Sequence, residues 1–264
     1  MLASTSNNEL KIWNFINNTS NNEVITNTTL LPNLTNICWN HTNQVVAISN
    51  SICNVQLVHS LSGQLLSTIP FEPPSINNNN NNNINSSISF SSNSRHIAQS
   101  INSKILIYDL KKRNIRNELI GHYSSVTSLS FLSDGRIISS DTIGSIYIWD
   151  LKTNDNSYQA FPTSSSSTVP TTTNDASITC IRSNLTGTPR LAAADINGCI
   201  TVYDITTMKL LRRQGVHKSP ISSLAFSPKN SRLIASCRYT YLKCVHIYTI
   251  YTFIIILYYN TSYT

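Results

Sequence analysis

Carboxylates are scarce in this chain of 264 residues: Asp and Glu number 12, against 19 Lys and Arg. Charged residues make up 12% of the sequence, about half the roughly 25% of an ordinary domain. Asn, Ser and Thr fill much of the gap. No pair of carboxylates stands out for acid–base work, and no glycine-rich loop is present to cradle a phosphate. The six histidines form no His-Glu-x-x-His pattern and no consistent Ser-His-Asp order. The six cysteines form no Cys-x-x-Cys pair, which removes the paired spacing of a zinc site. Five of them sit among apolar residues and are read as buried free thiols. No basic start followed by an apolar core opens the chain, so no secretory leader is read and a cytoplasmic location is expected. Heptads and long helical periods are also missing. The expectation is a protein that is not an enzyme and takes no cofactor and no metal.

What is present is a patterned unit, "GHYSSVTSLSFLSDGRIISSDTIGSIYIWDLKT", residues 121–153. Val126, Leu129 and Phe131 lie in a short β-like run. Asp134-Gly135 is a strong turn signal. Ile137-Ile138 open a second run, Ile143-Gly144 allow another turn, and Ile146 and Ile148 alternate with Tyr147 and Trp149. Three short strands joined by tight turns make an antiparallel meander. A lone sheet of this kind cannot bury both faces and needs neighbours.

The unit recurs. "ELKIWNF" puts Trp13-Asn14 at a strand ending, "KILIYDL" puts Tyr108-Asp109 there, and "CITVYDI" puts Tyr203-Asp204 there, alongside Trp149-Asp150. Residues 36–69 have the strand lengths of one unit but end "QLVHS", with His59 in the Asp place. "VHKSPISSLAFSPKNSRLIASC", residues 216–237, opens a further unit at His217. These segments resemble WD repeats, a family that builds one four-stranded propeller blade per roughly 40–45 residues with Gly-His and Trp-Asp as markers. The resemblance implies an all-β, incomplete WD-repeat β-propeller of about five blades plus the start of another. In that family a His, a Ser or Thr, an Asp and the Trp form a buried hydrogen-bonded set. His122, Ser139 and Trp149 match it. The Asp position falls on Ile143, so an incomplete set and a weaker blade are expected.

The propeller is assigned to residues 1–237. Two biased stretches, the Asn run 77–83 and the Ser/Thr-rich 163–173, read as loop insertions between strands. Residues 238–264 read as a non-consensus apolar tail, because no Gly or Asp turn and no Trp-Asp ending follow Cys237. Its apolar run is shorter than the roughly 20 residues of a membrane helix. Sequence appended to a truncated frame is the preferred reading of the tail, and a membrane anchor the alternative.

Net charge is +7. The cations gather in two clusters after the Tyr-Asp endings: Lys111, Lys112, Arg113 and Arg116, and Lys209, Arg212, Arg213 and Lys218. Both fall where the outermost strand of a blade is expected. Charges there guard an edge strand against pairing, or they dock an acidic protein surface. Aromatic–basic interleaving is missing, so nucleic acid is not the expected partner.

The order of features narrows the resemblance. The mid-repeat opening "LASTSNNELKIWN", then "LTNICWNHTNQVVAIS", a second unit without Trp-Asp, and the later "VHKSPISSLAFSPKN" together resemble the N-terminal propeller of the gamma-tubulin ring complex recruitment factor family (neural precursor cell expressed, developmentally down-regulated, type one). The resemblance spans about residues 1–237. It implies a scaffold that places microtubule-nucleating machinery at the centrosome and spindle, with centrosomal or spindle proteins or the gamma-tubulin complex as partners. The alternatives are a generic WD-repeat scaffold, such as a ubiquitin-ligase adaptor or a trafficking component, and a truncated nonfunctional copy.

Overall fold

The computed structural model describes residues 2–6, 9–14, 23–27, 34–50, 54–71, 86–152, 157–162, 176–184, 188–227, 233–238, 241–246 and 254–255. The insertions at 77–83 and 163–173 lie outside these residues. The described strands form six antiparallel sheets, each threaded in chain order.

Sheet 1 holds β1 (Leu2–Ser6), β2 (Glu9–Asn14) and β3 (Glu23–Asn27). Sheet 2 holds β4 (Leu34–Trp39), β5 (Val45–Asn50), β6 (Asn54–His59) and β7 (Leu65–Pro70). Sheet 3 holds β8 (Ile88–Phe90), β9 (His96–Ile101), β10 (Lys104–Asp109) and β11 (Asn114–Ile120). Sheet 4 holds β12 (Val126–Phe131), β13 (Ile137–Asp141), β14 (Ile146–Trp149) and β15 (Tyr158–Ala160). Sheet 5 holds β16 (Ile178–Asn184), β17 (Arg190–Asp195), β18 (Cys199–Asp204) and β19 (Leu210–Gly215). Sheet 6 holds β20 (Ser223–Phe226), β21 (Leu233–Arg238), β22 (Tyr241–His246) and β23 (Ile254–Ile255).

The apolar core is divided into layers, one between each pair of neighbouring sheets. Side chains alternate across a strand, so each middle strand feeds two layers. In β5, Val46 and Ile48 join the layer shared with sheet 1, and Ala47 joins the layer shared with sheet 3. In β17, Leu191 and Ala193 face sheet 4 while Ala192 and Ala194 face sheet 6. Burial on both faces explains why these strands read as continuous apolar runs rather than as alternations.

The first strands of sheets 2 to 6 pack in series, β4 on β8, β8 on β12, β12 on β16 and β16 on β20. Each is an edge strand whose outward N–H groups need acceptors. Serines of the preceding sheet supply some of them. The Leu129 and Phe131 amides donate to Ser87 Oγ and Ser89 Oγ, both at 3.2 Å, and the Ile181 amide donates to Ser128 Oγ at 3.3 Å. The serine richness of the sequence has a structural use at these positions.

Sheet 1 has three described strands. Among the described residues, no packing of sheet 6 on sheet 1 comparable to that between the other neighbours closes the ring. The molecule is an all-β propeller that is not closed. Strand pairing continues past Cys237: β22 pairs with β21 from Leu233↔His246 to Arg238↔Tyr241, and β23 pairs with β22. The rest of the segment read as a tail lies outside the described residues. Among the described residues, no helix is long and apolar enough to cross a membrane.

Candidate interaction surface

The residues expected to build a blade converge in sheet 4. Trp149 Nε1 donates to Ser139 Oγ at 2.7 Å, and Ser139 Oγ lies 2.6 Å from His122 Nε2. His122 Nδ1 lies 2.8 Å from Asp141 Oδ2. The Asp is therefore Asp141, and the expectation that its place falls on Ile143 is corrected. Asp141 ends β13, where its other oxygen accepts the Ile143 and Ser145 amides at 3.1 and 2.8 Å. Ile143 is half-exposed in the turn and contributes only one of those amides. Only the residue at the strand end can reach both the turn and the histidine.

Donors and acceptors in this set match one to one. The indole N–H donates to the serine, the serine O–H to Nε2, and Nδ1–H to the carboxylate, which fixes the imidazole as its Nδ1–H tautomer. His122 also stacks on Tyr147 with ring centroids 4.4 Å apart. Gly121 precedes it because a Cβ there would meet Tyr158 and Trp149.

Ser139, His122 and Asp141 reproduce the linkage of a hydrolase triad. Their setting differs. Ser139 and Asp141 are fully buried, and the serine oxygen is enclosed by the indole and the imidazole. With its oxygen held between the indole and the imidazole, the set acts as a structural clamp.

Other sheets carry fragments of the same clamp. In sheet 6, His217 Nε2 lies 2.9 Å from Ser236 Oγ. In sheet 5, Asp195 Oδ1 accepts the Asn197 and Cys199 amides at 2.9 and 2.8 Å, the same turn capping as Asp141. Its Oδ2 pairs with Arg213 at 3.2 Å. Tyr203 takes the Trp place and packs on Phe161. In sheet 3, Tyr108 takes it and packs on Phe71. Trp13 lies on β2, and its side chain is outside the described residues.

The blade-ending residues cap the turns that lead to the outer strands. Asp109 Oδ1 accepts the Lys111 and Lys112 amides at 2.9 and 3.0 Å. Asp204 does the same for Thr206 and Thr207, and Asp150 for Lys152. His59 substitutes in kind, with Nδ1 accepting the Ser62 amide at 3.3 Å. Four residues after each of His59, Asp109 and Asp204, the chain enters the left-handed region, at Gly63 (φ 68°), Arg113 (φ 56°) and Met208 (φ 58°). The backbone amide of Lys112, with further help from Arg95 and the Lys111 amide, holds the Asp109 carboxyl well below the usual range. The Thr207 and Thr206 amides lower Asp204 likewise. His96, facing Asp109, Arg95 and Arg116, is pushed down from its ordinary value mainly by burial and then by Arg116.

Lys111, Lys112, Arg113 and Arg116 lie on β11 and the turn before it, Lys209, Arg212 and Arg213 on β19 and the turn before it, and Lys218 in the connection that follows β19. Lys111, Lys112, Arg113 and Arg116 are all exposed on the β10–β11 turn and β11. Arg116 Nη1 lies 3.2 Å from His96 Nε2. Lys209 and Lys218 are exposed, Arg212 is half-buried, and Arg213 is committed to Asp195. Sheet 4 separates the two clusters, so they do not form one patch. Sequence reasoning missed Asp141, Asp195 and Ser236. Their signal was positional: Asp141 and Asp195 both stand three residues before a turn glycine, Gly144 and Gly198. Among the described residues, no group of His, Cys, Asp and Glu is arranged to hold a metal ion.

Six antiparallel sheets packed in series define a β-propeller fold that is not closed. The family model for the WD domain, G-beta repeat, matches residues 113–150 and 208–248. Each matched stretch joins the outer strand of one sheet to inner strands of the next, and the second runs through β22. The β-propeller domain of Myceliophteria thermophila Cps50 (Swd1) is similar in structure, with a TM-score of 0.66 at 14% identity. The similarity covers 83% of this chain and 67% of that one. At that identity the likeness is one of fold. No curated protein matches the sequence.

Proposed function

We propose that this chain is a non-catalytic protein-interaction scaffold whose outer rim engages an acidic protein surface at the centrosome or spindle pole, placing gamma-tubulin-containing, microtubule-nucleating machinery there. The observation that carries the reading is the group of four exposed cations, Lys111, Lys112, Arg113 and Arg116, on one turn and one edge strand. The acidic groups beside them are already engaged, Asp109 by Arg95 and backbone amides and Glu118 by Lys104. The local field is thus positive and open to an anionic partner. The buried clamp of sheet 4 supports a rigid platform rather than chemistry. The resemblance in feature order to the gamma-tubulin recruitment family supports the choice of partner.

Exposed ion pairs contribute about 0–1 kcal/mol each, so no single substitution abolishes such binding. Lys111→Glu, Lys112→Glu, Arg113→Glu and Arg116→Glu together do. The test is the distribution of the fluorescently tagged chain in dividing cells, wild type against the fourfold reversal. Spindle-pole signal lost on reversal is the expected result. An even cytosolic spread of the wild type rejects the centrosomal reading. Pole signal unchanged by reversal keeps the location and rejects the basic rim as the contact.

A further inference from the structure

The connection from β19 to β20 carries Lys218-Ser219-Pro220. We propose that Ser219 is a phosphorylation site for a proline-directed serine/threonine kinase, and that Arg238 receives the phosphate. The site stands independently of the partner proposed above.

Three Ser/Thr-Pro pairs occur in the chain, at Thr188, Ser219 and Ser227. Among the described residues, Ser219 is the one whose hydroxyl already meets a cation: Arg238 Nη1 donates to its Oγ at 3.2 Å. A guanidinium presents a planar fork of donors suited to a doubly accepting oxyanion. The flanking Lys218 and Pro220 are exposed, and Ser219 is half-buried. The proline ring disfavours helical backbone at the residue before it, so Ser219 is biased toward the extended form that a kinase cleft takes.

The loop is held at both ends. The Val216 and His217 amides donate to Gly198 O at 2.9 and 3.0 Å, and the Ile221 amide donates to Asp195 O at 3.4 Å. Gly198 (φ 80°) is glycine because a Cβ would collide with the His217 and Ser219 carbonyls of this same loop. Asp195 is the carboxylate at the site. Its charge is met by Arg213 and two backbone amides, which lowers the repulsion an added phosphate would feel.

In the reaction Ser219 Oγ attacks the γ-phosphorus of ATP, the bond to the bridging oxygen breaks, ADP leaves, and the hydroxyl proton passes to the kinase's base. The product carries about −1.5 to −2 charge at pH 7. It binds Arg238 at the end of β21 and draws in Lys218. The loop that begins sheet 6 is then tied to that sheet's second strand, and the cation Lys218 leaves the open surface.

Purified chain is incubated with ATP and a proline-directed kinase, and the phosphate is mapped by peptide mass spectrometry. Phosphate on Ser219, absent from the Ser219→Ala variant, is expected. The phosphorylated chain is then titrated by phosphorus-31 NMR. A free phosphoserine has its second ionisation near pH 6. A guanidinium contact lowers it by about one unit. The lowering should vanish in Arg238→Gln and be reduced in Arg238→Lys, which keeps the charge but loses the fork and serves if the Gln variant does not fold. Phosphate on Thr188 or Ser227 alone, or no phosphate, overturns the site. Identical titration of the wild type and the Arg238 variants overturns the role of Arg238.

Discussion

Sheets 4 and 5 are neighbours with the same strand order, and only one of them has the complete clamp. Sheet 4 joins Trp149, Ser139, His122 and Asp141 in one hydrogen-bonded chain from the outer side of the blade to its turn. Sheet 5 has Ala193 where sheet 4 has Ser139 and Tyr203 where it has Trp149, and of the clamp acids it keeps Asp195. In both sheets the second strand is nonetheless buried, over all of β13 and over Leu191–Asp195 of β17. Apolar burial and turn capping are therefore enough to form a blade. The clamp adds rigidity and specificity to a sheet that burial has already made.

The most damaging change to sheet 4 is Trp149→Ala. It removes a fully buried side chain from the layer shared with sheet 3 and strips Ser139 of its donor. A loss of about 3–5 kcal/mol is expected in a denaturant melt, and a loss below about 1 kcal/mol would show that the residue does not carry the blade. Tyr203→Ala in sheet 5 should cost less, because Ala193 makes no hydrogen bond to a residue in that place.

The acids separate the two sheets next. Asp141→Ala leaves His122 Nδ1–H and the Ser145 amide without an acceptor in a buried setting, and the Ile143 amide without one in the partly exposed turn. A loss of about 3 kcal/mol follows from one charged hydrogen bond and its stranded donors. Asp195→Ala removes equivalent turn bonds, but its partner Arg213 is one-third exposed and regains water. About 1–2 kcal/mol is expected there. Equal losses at the two positions would show that the histidine link contributes nothing.

Much of this was legible in the sequence. The Asp-Gly turn, the Ile alternation and the Trp-Asp ending placed three strands of sheet 4, and the Tyr-Asp endings placed β10 and β18. The clamp acid stands two residues before Ile143, the place expected for it. The carboxylate's second duty, capping the turn after β13, decides its position, and that duty appears only when Asp141 and Asp195 are aligned on their glycines. Cross-strand partners such as Arg95 and Asp109 were hidden because the register of β9 on β10, not sequence distance, brings them together. Missing turn residues after Cys237 suggested that the pattern breaks. Yet β9 and β10 are joined through Asn102 at φ 53° without Gly or Asp, so a short connection needs neither.

Acid should sharpen the contrast between the outer turns. Asp109 and Asp204 have lowered pKa values in the folded chain, so their contribution is present above the unfolded value near 3.9. It is lost as pH falls through the folded value. His96 is also lowered. The unfolded chain takes up its proton near pH 6.5 while the folded chain resists, so stability declines as pH drops below that point. The corresponding turn of sheet 2 has His59 instead of a carboxylate. The double variant Asp109→Asn and Asp204→Asn should flatten the fall of melting temperature below about pH 4. An unchanged slope would place the acid sensitivity elsewhere.

The smallest expected effect concerns the same three turns. Gly63, Arg113 and Met208 hold one backbone position at positive φ, and only the first is a glycine. A side chain in the left-handed region costs about 1–2 kcal/mol, offset by the entropy that glycine loses on folding, about 0.5–1 kcal/mol. Arg113→Gly should therefore stabilise the chain by about 0.5–1 kcal/mol, read as a higher denaturant midpoint with the slope unchanged, whereas Met208→Gly also loses the packing of Met208 on the layer between sheets 4 and 5 and should show no such gain. Arg113→Gly removes one of the four rim cations as well. If the basic rim binds an acidic partner, this variant gains stability while losing some binding. Destabilisation by Arg113→Gly would mean that this side chain makes contacts worth more than the strain it imposes.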